Sequence, residues 1–242
     1  MGYVLWPLQK AKAPPCMTPE FIPLFGSPTP SGGTEGSWAW KLEEGMEAEG
    51  APVLTGEEAA RVARLVDKSL QKRLTVWLET RKRLLGILLG IDAAHVSIAH
   101  NAEGRPFLPA HPGHHISLSD SGNWGAVAVS HTRPVGIDVE PIRAMEWAPM
   151  LSMISEAEEA SEIRHAAGEA AVPLAFFRCW AAKEAVLKAE GRGMRADARR
   201  VRLPAAFIRG DTDELSLSKD GAGYRLRIAE TGHAVIARAL RV

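Results

Sequence analysis

FFRCWAAKEAVLKAEGRGM, residues 176–194, is the stretch on which the reading of this chain turns. At roughly 100° per residue, Phe176, Cys179, Trp180, Val186 and Leu187 fall on one side of a helix. Glu184 and Lys188, four apart, stack at the edge of that apolar arc beside Phe177. Lys183 projects into the arc itself. An unpaired ammonium there is costly, so it must snorkel out or meet an anion. Gly191 and Gly193 suit the helix exit, where a positive φ is common. An amphipathic core helix with a solvated Glu–Lys pair would account for most of this. The lysine inside the apolar arc and a second acidic pair upstream point further.

That pair lies in Val135-Gly136-Ile137-Asp138-Val139-Glu140, which reads as a strand ended by Pro141. Period-two geometry puts Asp138 and Glu140 on one face and Ile137 and Val139 on the other. Two carboxylates side by side repel, which raises one pKa or calls for a cation between them. An exposed strand face gives the same letters, so the pair alone is a weak signal. With Glu184 it makes a three-carboxylate set, and all-oxygen ligation of that kind suits Mg²⁺. Lys183, Lys188 and the upstream arginines would supply the remaining contacts of an anion. The combination points to chemistry on a pyrophosphate or phosphodiester.

The whole chain sets the bounds. Its 242 residues, 46% apolar, suffice for one large domain or two small ones with a real core. Lys+Arg and Asp+Glu both number 29, so neither nucleic acid nor an anionic membrane finds electrostatic support. The two cysteines, Cys16 and Cys179, are unlike a disulfide framework and fit a reducing compartment. Residues 1–8 are too short an apolar run for a secretory leader, and residues 84–91 are far too short to span a bilayer. A cytoplasmic monomer is the expectation.

In chain order, residues 1–36 are rich in Pro, Gly, Ser and Thr and read as a flexible extension, although Phe21, Ile22, Leu24 and Phe25 have the means to dock. Alternation of Trp38, Trp40 and Leu42 predicts the first strand over residues 37–42. Thr55-Gly56-Glu57-Glu58 starts a helix whose pattern, broken at most once, runs to Leu89 with many basic residues on its surface. Gly104-Arg105-Pro106 is a turn between short strands at 96–99 and 106–108. The imidazoles of His111, His114 and His115 lack the spacing and companions of a zinc centre. Strands follow at 116–119, 125–129 and 135–139, the last two joined by residues 130–134 as a hairpin. A polar helix over 155–167 precedes the key helix, and strands are predicted at 201–207, 214–217, 224–228 and 234–239.

The two motifs together, V-G-I-D-V-E at 135–140 and F-x-x-x-W-A-x-K-E-A-x-x-K-x-x-G-x-G at 177–193, resemble the 4′-phosphopantetheinyl transferase superfamily. The resemblance is to its larger, single-chain kind and extends over residues 37–242. It implies an α+β fold of two similar lobes, each a small, mostly antiparallel sheet flanked by helices, with a ligand cleft between them. The lobes would be residues 37–134 and 135–242, after the 1–36 extension. Such enzymes move the phosphopantetheine arm of coenzyme A onto a serine of an acyl, peptidyl or aryl carrier protein and release adenosine 3′,5′-bisphosphate. By motif position, Asp138, Glu140 and Glu184 would hold Mg²⁺, with Mn²⁺ as a substitute. Lys188 would contact the pyrophosphate and protonate the leaving group, and Lys183 and Trp180 would shape the pocket. Deprotonation of the serine falls to Glu184 or to a metal-bound water.

Upstream the match loosens. Arg73 stands where the family's basic residue meets the 3′-phosphate region, and Arg105 resembles the lysine of its G-K-P. The serine–histidine pair of the family appears as Ser117-Leu118-Ser119-Asp120-Ser121, so Ser119 is implied in coenzyme binding and Asp120 replaces an imidazole. A carboxylate there would repel a phosphate. The alternative reading is therefore a catalytically weakened member that binds coenzyme A or a carrier protein.

Overall fold

Residues 19–27, 35–43, 45–47, 50–166, 168–191 and 197–242 are described by a computed structural model of the chain, with side chains left out at 168–172. The fold is α+β. Its first part contains β1 (Ile22–Leu24), β2 (Gly36–Lys41), α1 (Gly56–Ala63), α2 (Lys68–Leu89), β3 (Ala99–His100), β4 (Pro106–Phe107), β5 (His115–Ser121) and β6 (Trp124–Ser130). Next come β7 (Val135–Pro141), α3 (Leu151–Ile154), α4 (Ala157–His165), α5 (Gly168–Glu190) and α6 (Ala205–Arg209). The last three strands are β8 (Glu214–Lys219), β9 (Ala222–Glu230) and β10 (Ala234–Arg241). One antiparallel sheet has the order β1-β2-β6-β5, a second β7-β10-β9-β8, and β3 pairs with β4 alone.

Strand alternation stacks these into helix, sheet, sheet, helix. Trp38, Trp40, Val127 and Val129 face α2, where they meet Trp77, Leu84, Leu85 and Leu88. Gly125 has no side chain because a Cβ there would stand 2.3 Å from Trp40 and 2.6 Å from Trp77. The opposite face of that sheet, Ala39, Ala126 and Ala128, lies on Val135, Ile137, Val139 and Ile236 of the second. The small alanines let the two sheets approach. The far face of the second sheet, with Leu226, Ile228, Val235 and Ala237, is covered by α5 through Phe176, Ala182, Ala185 and Val186. Fully burying each large apolar side chain contributes roughly 1.5–3 kcal/mol, so the three interfaces between these four layers dominate the stability.

Gly136 sets the approach of α5 to β7. A Cβ on it would lie 1.9 Å from the Ala185 carbonyl oxygen and 2.5 Å from the Ala189 nitrogen. The glycine lets the helix rest on the strand backbone, and the next residue on that face is Asp138.

Three sequence readings change, and the single break allowed in the helical run to Leu89 is present. Residues 130–134 are not a hairpin: β6 is already paired with β2 and β5, so β7 joins β10 in the other sheet. Residues 201–207 are not a strand. Their polar backbone is claimed by side chains, Val201 O by Lys183 and Leu203 N by Glu159, and Pro204 then opens α6. The helical run to Leu89 breaks once, where Asp67 caps α2 by accepting from Ser69 N at 2.7 Å and Leu70 N at 3.4 Å. Part of the expected extension is built in: Ile22, Pro23 and Leu24 pair with Ala39, Trp38 and Ser37, and Phe21 stands edge-on to Trp40. Cys16, Gly193, Met194 and the Pro28–Gly33 run lie outside the described residues.

Candidate active site

The two lobes meet where the free edges of β5 and β7 lie alongside one another without a backbone ladder. Serine hydroxyls take its place. Ile137 N donates to Ser117 Oγ at 3.0 Å and Val139 N to Ser119 Oγ at 3.3 Å. Ser121 Oγ donates to Glu140 Oε2 at 3.1 Å. The period-two spacing of the three serines, one strand face of β5, is what makes this seam.

Asp138 and Glu140 point from the same face of β7. Asp138 is 5% exposed. Its Oδ1 accepts from Lys188 Nζ at 2.7 Å and from Ser119 Oγ at 2.8 Å, and Lys188 also reaches Ser119 Oγ at 2.9 Å. Its Oδ2 is buried and has no hydrogen-bond partner. Glu140 Oε2 is held by Ser121 and by Arg143 Nη1 at 3.2 Å. Burial, then Asp138, raises the proton affinity of Glu140 against the pull of Arg143 and Ser121. Glu184 is raised by burial first, then by Asp138 and Glu140, with Lys188 opposing. The three carboxylates therefore feel one another across a common space.

Among the described residues, no three His, Cys, Asp or Glu side chains are already gathered as a metal-binding group. The protein's own cations occupy the carboxylates instead, Lys188 on Asp138 and Arg143 on Glu140. The residues nonetheless fit a divalent ion. A buried carboxylate oxygen without a donor, next to two carboxylates whose proton affinity is raised by burial and then by Asp138, is a local deficit of positive charge. A small hard cation with oxygen ligands would meet it.

Glu184 and Lys188 open into a cleft of about 500 Å³, also lined by Arg61, Arg81, His100, Arg105 and Asp120. Arg105 stands on the β3–β4 turn and reaches toward Gly191 at the end of α5, so it spans the two lobes. Its Nη2 and the Nε of Arg81 are buried without partners, an arrangement suited to an anion. Asp120 also faces this cleft, and its charge acts on Arg81. Arg61 and Arg81 are among the upstream arginines that the sequence offers to an anion, whereas His100 is not foreseen. The available signal was pairing: His100 sits opposite Pro106, which places it beside Arg105.

Three expected coenzyme-binding residues do not line the cleft, and one of them, Ser119, is buried in the seam between β5 and β7. Arg73 lines a separate hollow with Leu42, Met46, Ser69 and Asn123. Lys183, expected to shape the pocket, is fully buried on another side of α5. There it donates to Glu159 Oε1 at 3.1 Å, Glu159 Oε2 at 2.9 Å, Val201 O at 2.7 Å and Ala198 O at 3.4 Å. Its anion is a glutamate of α4, and that explains an ammonium in an apolar arc. Cys179 is buried, which pushes its thiol up to about 12, and covalent catalysis finds no support there. No helix among the described residues is long and apolar enough to cross a membrane.

Comparison with known proteins points to one superfamily. Residues 134–235 match the model of the 4′-phosphopantetheinyl transferase superfamily. The chain is 31% identical over 147 residues to 4′-phosphopantetheinyl transferase HetI of Nostoc sp., which covers 60% of this chain and 62% of that one. It is 27% identical over 155 residues to a 4′-phosphopantetheinyl transferase of Bacillus subtilis, 59% of this chain and 67% of the relative. Similarity to 4′-phosphopantetheinyl transferase Sfp of Bacillus subtilis strain 168 is 26% over 104 residues, 43% and 45% of the two chains. The matched region is thus from under half to two-thirds of these relatives' lengths.

Proposed function

We propose that the chain, whose residues 134–235 match the 4′-phosphopantetheinyl transferase superfamily, transfers the 4′-phosphopantetheine group of coenzyme A to a serine hydroxyl of an acyl, peptidyl or aryl carrier protein, releasing adenosine 3′,5′-bisphosphate. One observation carries most of the weight: the buried Asp138 carboxylate has Ser119 and Lys188 on one oxygen and nothing on the other, and that same Lys188 lines an arginine-bearing cleft. A carboxylate so placed is poor structure and good chemistry.

Asp138, Glu140 and Glu184 would hold Mg²⁺, or Mn²⁺ in its stead. Bound there, the ion would neutralise charge on the pyrophosphate as its P–O bond breaks. The protein's own groups account for the other steps. Arg61, Arg81 and Arg105, which line the cleft, bind phosphate oxygens, and Arg81 Nε and Arg105 Nη2 have no protein partner to give up. Glu184 takes the proton of the attacking serine, and its raised proton affinity makes it a better base than an exposed glutamate. The serine oxygen forms a bond to the β-phosphorus while the bond to the bridging oxygen breaks. Lys188, a quarter exposed to the cleft, delivers a proton to that departing oxygen. Positioning and charge neutralisation supply most of the acceleration in such transfers.

The decisive experiment is intact-mass spectrometry of several apo carrier proteins incubated with the purified chain, coenzyme A and Mg²⁺. The expected result is a gain of one phosphopantetheine on a single serine, lost when the metal is chelated. If no carrier is loaded while an established transferase loads the same panel, the proposal is wrong.

A further inference from the structure

We infer that Ser119 is a positioning residue: its hydroxyl fixes which oxygen of Asp138 is offered to a divalent cation, and it does not itself touch the coenzyme. The inference rests on the reading of Asp138 as a cation ligand. It assigns Ser119 a role different from the coenzyme contact that the motif implies.

The hydroxyl of Ser119 is fully used. A seryl oxygen has one hydrogen to give and two lone pairs to receive with. It gives to Asp138 Oδ1 at 2.8 Å and receives from Val139 N at 3.3 Å and Lys188 Nζ at 2.9 Å. No capacity remains for a phosphate. The side chain is 6% exposed and is absent from the lining of the cleft, although Ser117, Leu118 and Asp120 contribute to it.

The consequence falls on Asp138. With Ser119 and Lys188 both on Oδ1, the carboxylate cannot turn without losing two donors, and Oδ2 is left as the oxygen without a partner. Ser117 performs only the backbone half of this task, receiving from Ile137 N at 3.0 Å. One serine closes the seam between the lobes. The other closes the seam and also aims a ligand. Groups that orient a metal ligand commonly change metal affinity by about 10- to 100-fold when removed.

The test measures Mn²⁺ binding to the full chain without coenzyme A, by paramagnetic relaxation of water protons, beside coenzyme A binding without metal. Ser119→Ala is expected to weaken Mn²⁺ by about ten-fold or more, and Ser119→Thr, which restores a hydroxyl, to recover most of it. Ser117→Ala is expected to lower the melting temperature with Mn²⁺ affinity unchanged. Should Ser119→Ala fail to fold, Ser119→Cys keeps the shape, offers a poor donor, and must show the same weakening. Unchanged Mn²⁺ affinity in the Ala or Cys variant, or a loss confined to coenzyme A affinity, overturns the inference. So does a wild-type chain that binds no Mn²⁺ in this assay. The carrier-loading assay reads the transferase proposal separately, so the two fail in distinguishable ways.

Discussion

Helix α5 carries two lysines five residues apart, each on a buried carboxylate, and the two pairs do opposite things. Lys183 and Glu159 are closed on themselves. The ammonium gives to both glutamate oxygens and to Val201 O, and Glu159 Oε1 receives Leu203 N as well. Burial pulls the Lys183 ammonium below the ordinary lysine range, against the opposing pull of Glu159. Lys188 and Asp138 are left open: one carboxylate oxygen has two donors, the other has none, and the ammonium is partly exposed to a cleft. What separates structure from site is therefore the account of unsatisfied atoms. The kind of pair is the same.

The strongest way to break the comparison is to neutralise the closed pair. Lys183→Met leaves Glu159 charged and buried, which costs about 3–5 kcal/mol. In a chain of this size that is a fall in melting temperature on the order of 10 °C. Adding Glu159→Leu should recover much of the loss, because a buried ion pair is often replaceable by apolar groups. Calorimetry checks both variants, and the folded fraction of each should still load a carrier. A stable Lys183→Met chain that has lost transfer would put Lys183 back in the cleft.

Next in size is the open side. Glu184→Gln keeps the shape of α5 and removes a charge that the proposed chemistry needs. The transfer rate should drop by at least about a hundred-fold, while the melting temperature holds or rises slightly, since one member of a repelling cluster is gone. Near-normal turnover rejects the assignment. Between the pairs lies Gly136. Gly136→Ala forces a Cβ into the Ala185 carbonyl, prises α5 from β7 and should cost about 1–3 kcal/mol. It also draws Lys188 away from Asp138, so transfer should decline in the fraction that remains folded.

The comparison also marks how far the sequence could be read. Glu184 and Lys188 at helical spacing, and Asp138 and Glu140 at strand spacing, are local facts, and periodicity alone places them. The tight contact at Gly136 is signalled by a glycine inside an otherwise β-branched strand. What failed was long-range. Nothing near Lys183 in the sequence names Glu159, and until those two are paired the 201–207 segment keeps its strand-like pattern. The same holds for β6 and β7. Turn-like residues between two apolar strands suggest a hairpin, and only the full occupancy of β6 by β2 and β5 shows otherwise. Arg61 and Arg81 look like solvated helix charges until β3, β4 and the end of α5 build a cleft around them.

A smaller effect concerns the proton on His100, whose affinity is lowered by burial first and then by Arg81 and Arg61. An anion between these groups cancels the arginine repulsion and raises the pKa, so binding takes up a proton. Coenzyme A should therefore bind more tightly as pH falls toward the lowered range of the free imidazole, below the ordinary histidine value of 6.5. Titration calorimetry in two buffers of different ionisation enthalpy reads the proton directly, and equal heats in both would exclude the linkage.

The smallest expected effect is also the one that isolates the proposed phosphate end of the site from its proposed metal end. Asp120 is exposed, lines the cleft, and offsets part of the charge of Arg81. Asp120→His removes that negative charge and leaves the Asp138, Glu140 and Glu184 set untouched. Solvent screens an exposed charge, so the gain should be modest, about two- to five-fold in the dissociation constant of coenzyme A. It should shrink with added salt. Adenosine 3′,5′-bisphosphate should gain by the same factor, because it carries the phosphate end without the pantetheine arm, and Mn²⁺ affinity should not move. A gain for coenzyme A without one for the bisphosphate would place Asp120 against the pantetheine arm. No gain for either would mean that Arg81 and Asp120 already act as one neutral unit, and that Arg61 and Arg105 alone hold the phosphates.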